Sequence, residues 1–561
     1  MSTNRLEPKI IQIFREGYNF KKFTNDLIAG LIVGIVALPL SLAFAIASGV
    51  RPEQGIFTAI IAGFIISFLS GSRVQIGGPT GAFVIIVYNI VHQYGYAGLA
   101  TATFMSGILL IIMGFAKFGN IIKFIPYPVT VGFTSGIATI IFVSQIPDFF
   151  GLSLGKVPAE FIHKITVISA HISEFNFYSI ILAVITILFV VYFPKVTKKL
   201  PGSLIAIIVT TIIVQIFNLP VETIGSRFGE IPTTLPVPKM PGFSKELIVT
   251  MFSPAITIAL LAGIESLLSA VVADGMTGFR HRSNMELIAQ GVANILSPIF
   301  GGIPATGAIA RTATNIKNGG RSPVAGIIHA ITILLILLFF GKWAMYIPMA
   351  CLAGILIVVA YNMSEWELFT KLIKIARAEE VLVLLITFLL TVFVDLTVAI
   401  KTGVVLAAFL FMRRIAKVSK FGFVTDSLHE EDEEEDDDDV NDPEAISKRK
   451  VPDGIEVFEI NGPFFFGAAD KFKDTLNLVA KKPKVIILRM RHVPVIDATG
   501  LYALEDFFVK AKKEGIVIIL SKVHINVKHS MEKAGLLKYI QGEHLAIDID
   551  NAIKKAEQIL K

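Results

Sequence analysis

Residues 77–82 read GGPTGA and residues 301–308 read GGIPATGA, so the chain carries twice a glycine pair, a proline and the triplet Thr-Gly-Ala, each time among apolar segments. Glycine and proline interrupt helices. A proline followed by a small hydroxyl residue suits a helix start, because proline lacks only a donor that the first turn leaves unpaired. Each copy is therefore read as a broken span whose second half begins inside the membrane. A matched pair of such interruptions in the two halves of a membrane chain points to a transporter whose substrate lies at the midplane between repeats. If the two half-helices face each other, their N-termini bring unpaired N–H groups and two partial positive charges to one place, which should hold an anion. Arg311, six or seven residues into the second half-helix, adds a full charge at a depth where a guanidinium is costly and marks function. Taken singly, a Gly-Gly-Pro is a common loop and an arginine near a span end snorkels to the interface. Their duplication favours the site.

Composition agrees with a membrane protein. Of 561 residues 53% are hydrophobic and only 17% are charged, with a mean hydropathy of +0.69, whereas about a quarter of a soluble chain is charged. The formal net charge of +6 hides a segregation, since apolar segments fill residues 27 to 415 and charges crowd the two ends. The first 26 residues mix Arg5, Lys9, Arg15, Lys21 and Lys22 with no separate apolar core, so no cleavable signal peptide is expected. The one cysteine, Cys351, cannot form an internal disulfide.

The opening segment 1–26 is read as a cytoplasmic, basic interfacial helix. Apolar spans follow at about 27–47, 53–70, 79–93, 97–117, 128–146, 179–194 and 201–218, forming a first repeat over 27–218. A Pro-rich connection over 219–252 leads to a second repeat over 253–415, with spans at about 253–273, 285–300, 307–316, 322–341, 347–362, 379–396 and 399–415. Several fall short of the ~20 residues of a full crossing, which only the inside of a helix bundle tolerates. The count is seven plus seven, with the broken segment third in each half. An odd number of spans per half inverts the second copy, bringing the two half-helix starts together from opposite sides of the bilayer. Fourteen spans, with Arg413, Arg414, Lys417 and Lys420 after the last, place both termini in the cytoplasm.

Beyond residue 415 the pattern changes. Residues 416–450 are read as an acidic linker, since EEDEEEDDDD at 430–439 is too charged to fold. Residues 451–561 alternate buried strands such as KVIILRM with the amphipathic helix LYALEDFFVKAKKEG, as a soluble α/β domain does.

The strings DLIAGLIVGIVALPLSLAFAIASG (26–49), GGPTGAF (77–83), IPYPVTVGFTSGIA (125–138), GIESLLSAVVADGMTG (263–278), NMELIAQGVANI (284–295) and GGIPATGAIARTATN (301–315) resemble the bacterial sulfate permease (SulP) family of anion transporters, nearly end to end. The C-terminal domain resembles a STAS domain through its DATG turn at Asp497 to Gly500. Within the family the pattern is nearest the bacterial C4-dicarboxylate type, on MRRIA (412–416) and the ESLLSAVV-like eighth span. The resemblance implies an α-helical polytopic protein of fourteen spans in two inverted seven-helix repeats, divided into core and gate domains, with a cytoplasmic α/β STAS domain. It further implies a homodimer in the bacterial inner membrane whose core carries the anion past the gate like an elevator.

Expected substrate contacts are the backbone N–H groups of Gly81, Ala82, Gly307, Ala308 and Ile309, with Thr80, Thr306, Ala310 and Arg311 beside them. The threonines can equally serve as plain N-caps. Leu40 and Ser41, after Pro39, stand where many relatives have Gln-Gly, so that wall of the site is more apolar. Glu265 in the eighth span is the expected proton-coupling group, because burial disfavours a charged carboxylate and lets it exchange protons. Sodium coupling and a structural ion pair with Arg311 are the alternatives. Asn284, Glu286 and Gln290 suit a structural role at the ninth span's start, and Asp274, His281 and Arg282 read as loop charges. At the STAS turn Ala498 replaces the serine that related regulators phosphorylate, leaving Thr499 as the regulatory candidate.

The sequence has no P-loop, no nucleophile with its base and no cofactor or metal-ligand pattern, so neither an enzyme nor an ATP-driven pump is expected. The expected function is proton-coupled uptake of C4-dicarboxylates such as succinate and fumarate. Alternatives are sulfate or bicarbonate transport, and an anion channel or a sensor signalling through the STAS domain. Expected partners are the anion, the proton, the bilayer, a second copy and a cytoplasmic protein at the STAS domain; nucleic acid is not one.

Overall fold

The computed structural model describes residues 6–120, 126–154, 158, 160–196, 201–418, 420–423, 446–465, 472, 483–539 and 544–561. The acidic block at 430–439 lies outside the described residues. Two compact units divide the chain, Met1–Val405 and Leu406–Lys561, with the division inside the helix Leu396–Val418.

The first repeat begins with α1 (Phe20–Ala47) and α2 (Pro52–Leu69). A short strand, β1 (Gly77–Gly78), and a 3-10 turn (Gly81–Phe83) then lead into α3 (Val84–Phe115). Gly95, at φ 66°, breaks α3 into two arms, because that backbone conformation lies outside any helix and suits glycine. The repeat closes with α4 (Tyr127–Phe150), α5 (Phe177–Val196) and α6 (Gly202–Phe217). Asn218 ends α6 in the left-handed conformation with its N–H on Val214 O.

The second repeat comprises α7 (Lys245–Thr277), α8 (Ser283–Ile299), β2 (Thr306–Gly307), α9 (Ile309–Lys317), α10 (Pro323–Phe340), α11 (Met349–Met363), α12 (Ala378–Phe393) and α13 (Leu396–Val418). The start of α7 lies inside the stretch read as a connection: the Ser244 side chain accepts the Leu247 N–H at 3.1 Å and so nucleates the helix upstream of Pro254. Among the described residues eight helices are long and apolar enough to cross a membrane. With the two arms of α3 counted separately, seven helical segments in each half correspond to the spans read from the sequence, and the shorter helices Phe161–His171, Ile224–Phe228 and Trp366–Ile375 lie between them.

Packing partners come in mirrored pairs. Helix α1 lies on α10 as α7 lies on α3, α2 on α10 as α8 on α3, and α4 on α12 as α11 on α5. Helices α2 and α8 pack on each other across the repeat axis, and so do α4 and α11. The result is a core of α1–α3 and α7–α10 beside a gate of α4–α6 and α11–α13. In the core, a Cβ on Gly107 of α3 would lie 2.6 Å from the carbonyl oxygen of Gly291 of α8, and one on Gly291 would lie 2.6 Å from that of Gly107. Only two glycines permit that backbone approach.

A preceding helix, Lys9–Arg15, buries Ile10 and Ile13 and leaves Ile11 and Phe14 exposed. It is tied to the core at several points. Lys9 N–H donates to Ser70 O at 2.9 Å, Arg282 Nη1 to Glu7 O at 2.5 Å, and Arg73 Nη2 to Glu16 Oε1 at 2.7 Å.

The second unit holds a five-stranded sheet in the order β3 (Lys420–Phe423), β4 (Ile455–Asn461), β5 (Val485–His492), β6 (Val517–Ser521), β7 (Leu545–Ala546). The pairs from β4 to β7 are parallel, and β3 is antiparallel to β4. The edge strand β3 comes from the stretch read as linker. Helix α14 (Ala498–Glu514) shares a core with one face of the sheet, α15 (Ile525–Lys533) joins it there, and α16 (Ile549–Leu560) covers the other face. Strands buried on both faces read as continuous apolar runs, and the VIILRM of β5 is one. Asp497 caps α14 by accepting the Gly500 N–H at 2.8 Å, while Ala498 and Thr499 are exposed on its first turn.

Candidate anion-binding site

The two copies of the motif meet. Strands β1 and β2 pair antiparallel, with Gly77 opposite Gly307 and Gly78 opposite Thr306, and Ala308 N–H donates to Ile76 O at 2.8 Å. An antiparallel pair is what an inverted repeat requires. A helix starts at Gly81, three residues beyond β1, and another at Ile309, two residues beyond β2, so the backbone bridge places the two starts side by side in the core.

Helix starts leave donors unsatisfied. Among the described residues the N–H groups of Gly81, Ala82, Ile309, Ala310 and Arg311 make no hydrogen bond. Thr80 is the N-cap of the first start, yet its hydroxyl makes no capping bond. Instead Thr80 Oγ1 donates to Glu265 Oε2 at 2.9 Å, which brings the α7 carboxylate to the same place. Ile309 is 43% exposed, Ala310 is exposed, and Thr80 and Glu265 are partly exposed, so the site is reachable. Apolar side chains close in over Gly81, where a Cβ would stand 3.1 Å from Met363 Sδ, 3.3 Å from Phe44 Cε1 and 3.4 Å from Ile141 Cδ1. These come from α11, α1 and α4, and therefore from both core and gate.

Arg311 is 2% exposed and reaches back across the bridge. Its Nη2 donates to Pro79 O, and its Nη1 lies against Gly78, where no hydrogen-bond partner is found for it among the described residues. Gly78 has a φ of 151°, and any side chain there would collide with the guanidinium. No ion pair joins Arg311 to Glu265 among the described residues; the carboxylate rests on Thr80.

Other expected residues lie differently. The Ala308 N–H is taken by Ile76 O, so the unpaired donors of the second start begin one residue later. Gly307 sits in β2 against Gln75 Nε2, and Thr306 Oγ1 donates to Ala262 O at 2.8 Å. Leu40 is partly buried in the core cluster, and Ser41 is fully buried with its hydroxyl on Ala37 O at 2.8 Å in its own helix. The structure thus gathers Thr80, Gly81, Ala82, Ile309, Ala310, Arg311 and Glu265, while the Ser41 hydroxyl is bonded within its own helix.

Behind the site lies a polar layer that sequence reasoning treated as a helix cap. The Glu286 carboxylate accepts from Ser70 Oγ at 2.7 Å, Gly71 N–H at 2.9 Å, Ser266 Oγ at 2.9 Å and Gln290 Nε2 at 2.8 Å. Its donors come mostly from other elements, and Ser266 is the neighbour of Glu265. Asn284 likewise accepts the distant Gly119 N–H at 3.0 Å. Asp274 lies in α7 rather than in the loop expected, and pairs with the buried His281 at 2.7 Å.

The sulfate permease family matches residues 23–387, and the STAS domain matches residues 447–556. The putative sulfate transporter YvdB of Bacillus subtilis is 43% identical over 531 residues, covering 94% of this chain and 97% of that protein. The solved transmembrane domain of a cyanobacterial bicarbonate transporter, BicA, is 32% identical with a TM-score of 0.62, covering 68% of this chain and 98% of the other. The overall structure of SLC26A9 has a TM-score of 0.85 at 19% identity, covering 98% of this chain and 92% of the other, a likeness of fold. The chain belongs to the sulfate permease family, and is a multi-pass membrane anion transporter, not an enzyme, with a C-terminal STAS domain.

Proposed function

We propose that this transporter takes up a small inorganic oxyanion by secondary active transport, with sulfate accompanied by a proton as the first reading. One observation carries it: five unpaired N–H groups from two helix starts, held together by the β1–β2 bridge, share a site with the buried Arg311 guanidinium. Each helix N-terminus contributes about half a positive charge. With the guanidinium the cradle then offers about two, which match a dianion when the Glu265 carboxyl is protonated. An ionised Glu265 leaves about one, which suits a monoanion. Bicarbonate is therefore the second reading, supported by the likeness to BicA. The similar proteins are named as sulfate and bicarbonate transporters, which moves the reading away from the C4-dicarboxylate type expected from the sequence. The core helices carry the anion past the gate, and two copies of the chain work together.

Uptake of labelled sulfate, bicarbonate and succinate into proteoliposomes, with and without an imposed proton gradient, tests this. Sulfate uptake is expected to saturate and to be driven by the gradient, and Glu265→Gln to abolish the drive while leaving saturable binding. Gradient-driven uptake unchanged in Glu265→Gln removes the coupling role. Preference for succinate returns the substrate to the dicarboxylates, and absence of flux makes the chain a sensor.

A further inference from the structure

His329 lies on α10, one of the most apolar helices of the chain, and is fully buried. Neither ring nitrogen has a hydrogen-bond partner among the described residues. A neutral imidazole left so is costly, because each buried polar atom forgoes its solvation. The ring is not packed at random. It stands beside Gly63 of α2, where a Cβ would lie 3.4 Å from its Cε1, 3.6 Å from its Nδ1 and 3.1 Å from the carbonyl oxygen of Gly77 in β1. The next residue of β1, Gly78, is the one against which Arg311 Nη1 lies, and that nitrogen too is buried without a partner. An imidazole lacking a partner thus lies beside Gly63, which abuts the Gly77 carbonyl, and a donor lacking an acceptor lies against the next residue, Gly78. Glycine at 63 and 78 places no side chain of its own against the ring or the guanidinium, while Ile66 packs against Gly77.

We propose that His329 is a positioning residue for the anion site: one ring nitrogen serves, through a water, as the acceptor for Arg311 Nη1. With Nη2 on Pro79 O and Nη1 held by His329, the guanidinium is fixed at both ends of its fork. Its orientation toward the helix starts then no longer depends on the anion. The inference rests on the reading of Arg311 as part of the anion cradle.

The test compares apolar and hydrogen-bonding replacements in the full-length protein in proteoliposomes. His329→Leu and His329→Met remove the acceptor, and His329→Asn and His329→Gln keep one. The apolar variants should raise the KM for sulfate about tenfold, with kcat nearly unchanged, because a hydrogen bond to a charged group is lost. The amide variants should stay within about threefold of the parent, and all that remain monodisperse in detergent are read. Apolar and amide variants that behave alike, whether impaired or not, overturn the proposal, since a packing role does not distinguish them. Arg311→Ala is the parallel control. If it leaves KM unchanged, the cradle itself is wrong and His329 goes with it; if it raises KM while the apolar His329 variants do not, only the positioning role fails.

Discussion

Arg311 shows what a single residue contributes and how much of it was readable in advance. Its place six residues after Ala305 marked it for the site, and its burial against the motif bears on that reading. A lysine keeps the charge but cannot hold Pro79 O and present a second donor at a fixed angle. Arg311→Lys should therefore weaken sulfate binding by about 1.5–3 kcal/mol, roughly ten- to a hundredfold in Kd, as isothermal titration on purified protein can measure. Equal affinity of the lysine variant would show that charge alone suffices. The partners of such residues were not readable. Glu286 finds Ser70 and Gly71 more than 200 positions away, and His329 sits within an unbroken apolar run. Sequence spacing reports neighbours on one element, whereas these contacts are made by the crossing of several.

Elements were read well where their signals are local. Prolines, caps and glycine breaks delimit most helices within a few residues, although α1 starts seven and α7 eight residues before the expected spans, and the interrupted third segment of each half was recognisable from Gly, Pro and Thr alone. Donor availability was read less well, because the Ala308 N–H is taken by a strand that only the folded chain supplies. Two element-level outcomes follow. Gly291→Val places methyl groups against the Gly107 carbonyl, and overpacking of this kind costs about 1–3 kcal/mol. The variant should melt several degrees lower in detergent, and an unchanged melting temperature would mean that α3 and α8 can part without cost. The N-terminal helix has a pH dependence of its own. Burial, then the nearby Arg282 and Arg73 guanidinium groups, hold the Lys9 amine down at about 8, below its ordinary value. The docked helix thus binds fewer protons than the free one between pH 8 and the ordinary lysine range, so docking strengthens as pH rises through that window. Amide exchange of residues 9–15, corrected for its intrinsic rate, should slow relative to the other helices as pH rises from 8 to 10. Lys9→Met should lose that trend; a trend surviving in the variant assigns it elsewhere.

For the molecule as a whole, inversion of the repeats was predictable by counting, since seven spans per half leave the second copy upside down. Mirrored packing, α1 on α10 against α7 on α3, is the same statement made in three dimensions. The membrane and soluble parts were separable by composition, yet β3 shows that the sheet recruits residues just after the last helix, where charge and short length concealed a strand.

The β1–β2 bridge has a kinetic meaning. Since two paired positions on each strand clamp the two helix starts to each other, the cradle cannot let go of its cargo by splitting in half. Loading and unloading must occur through movement of the surrounding walls, with the grip itself unaltered from one face of the bilayer to the other. Half-saturation for sulfate, measured from inside and outside vesicles of fixed orientation with no gradient across them, should accordingly be nearly the same.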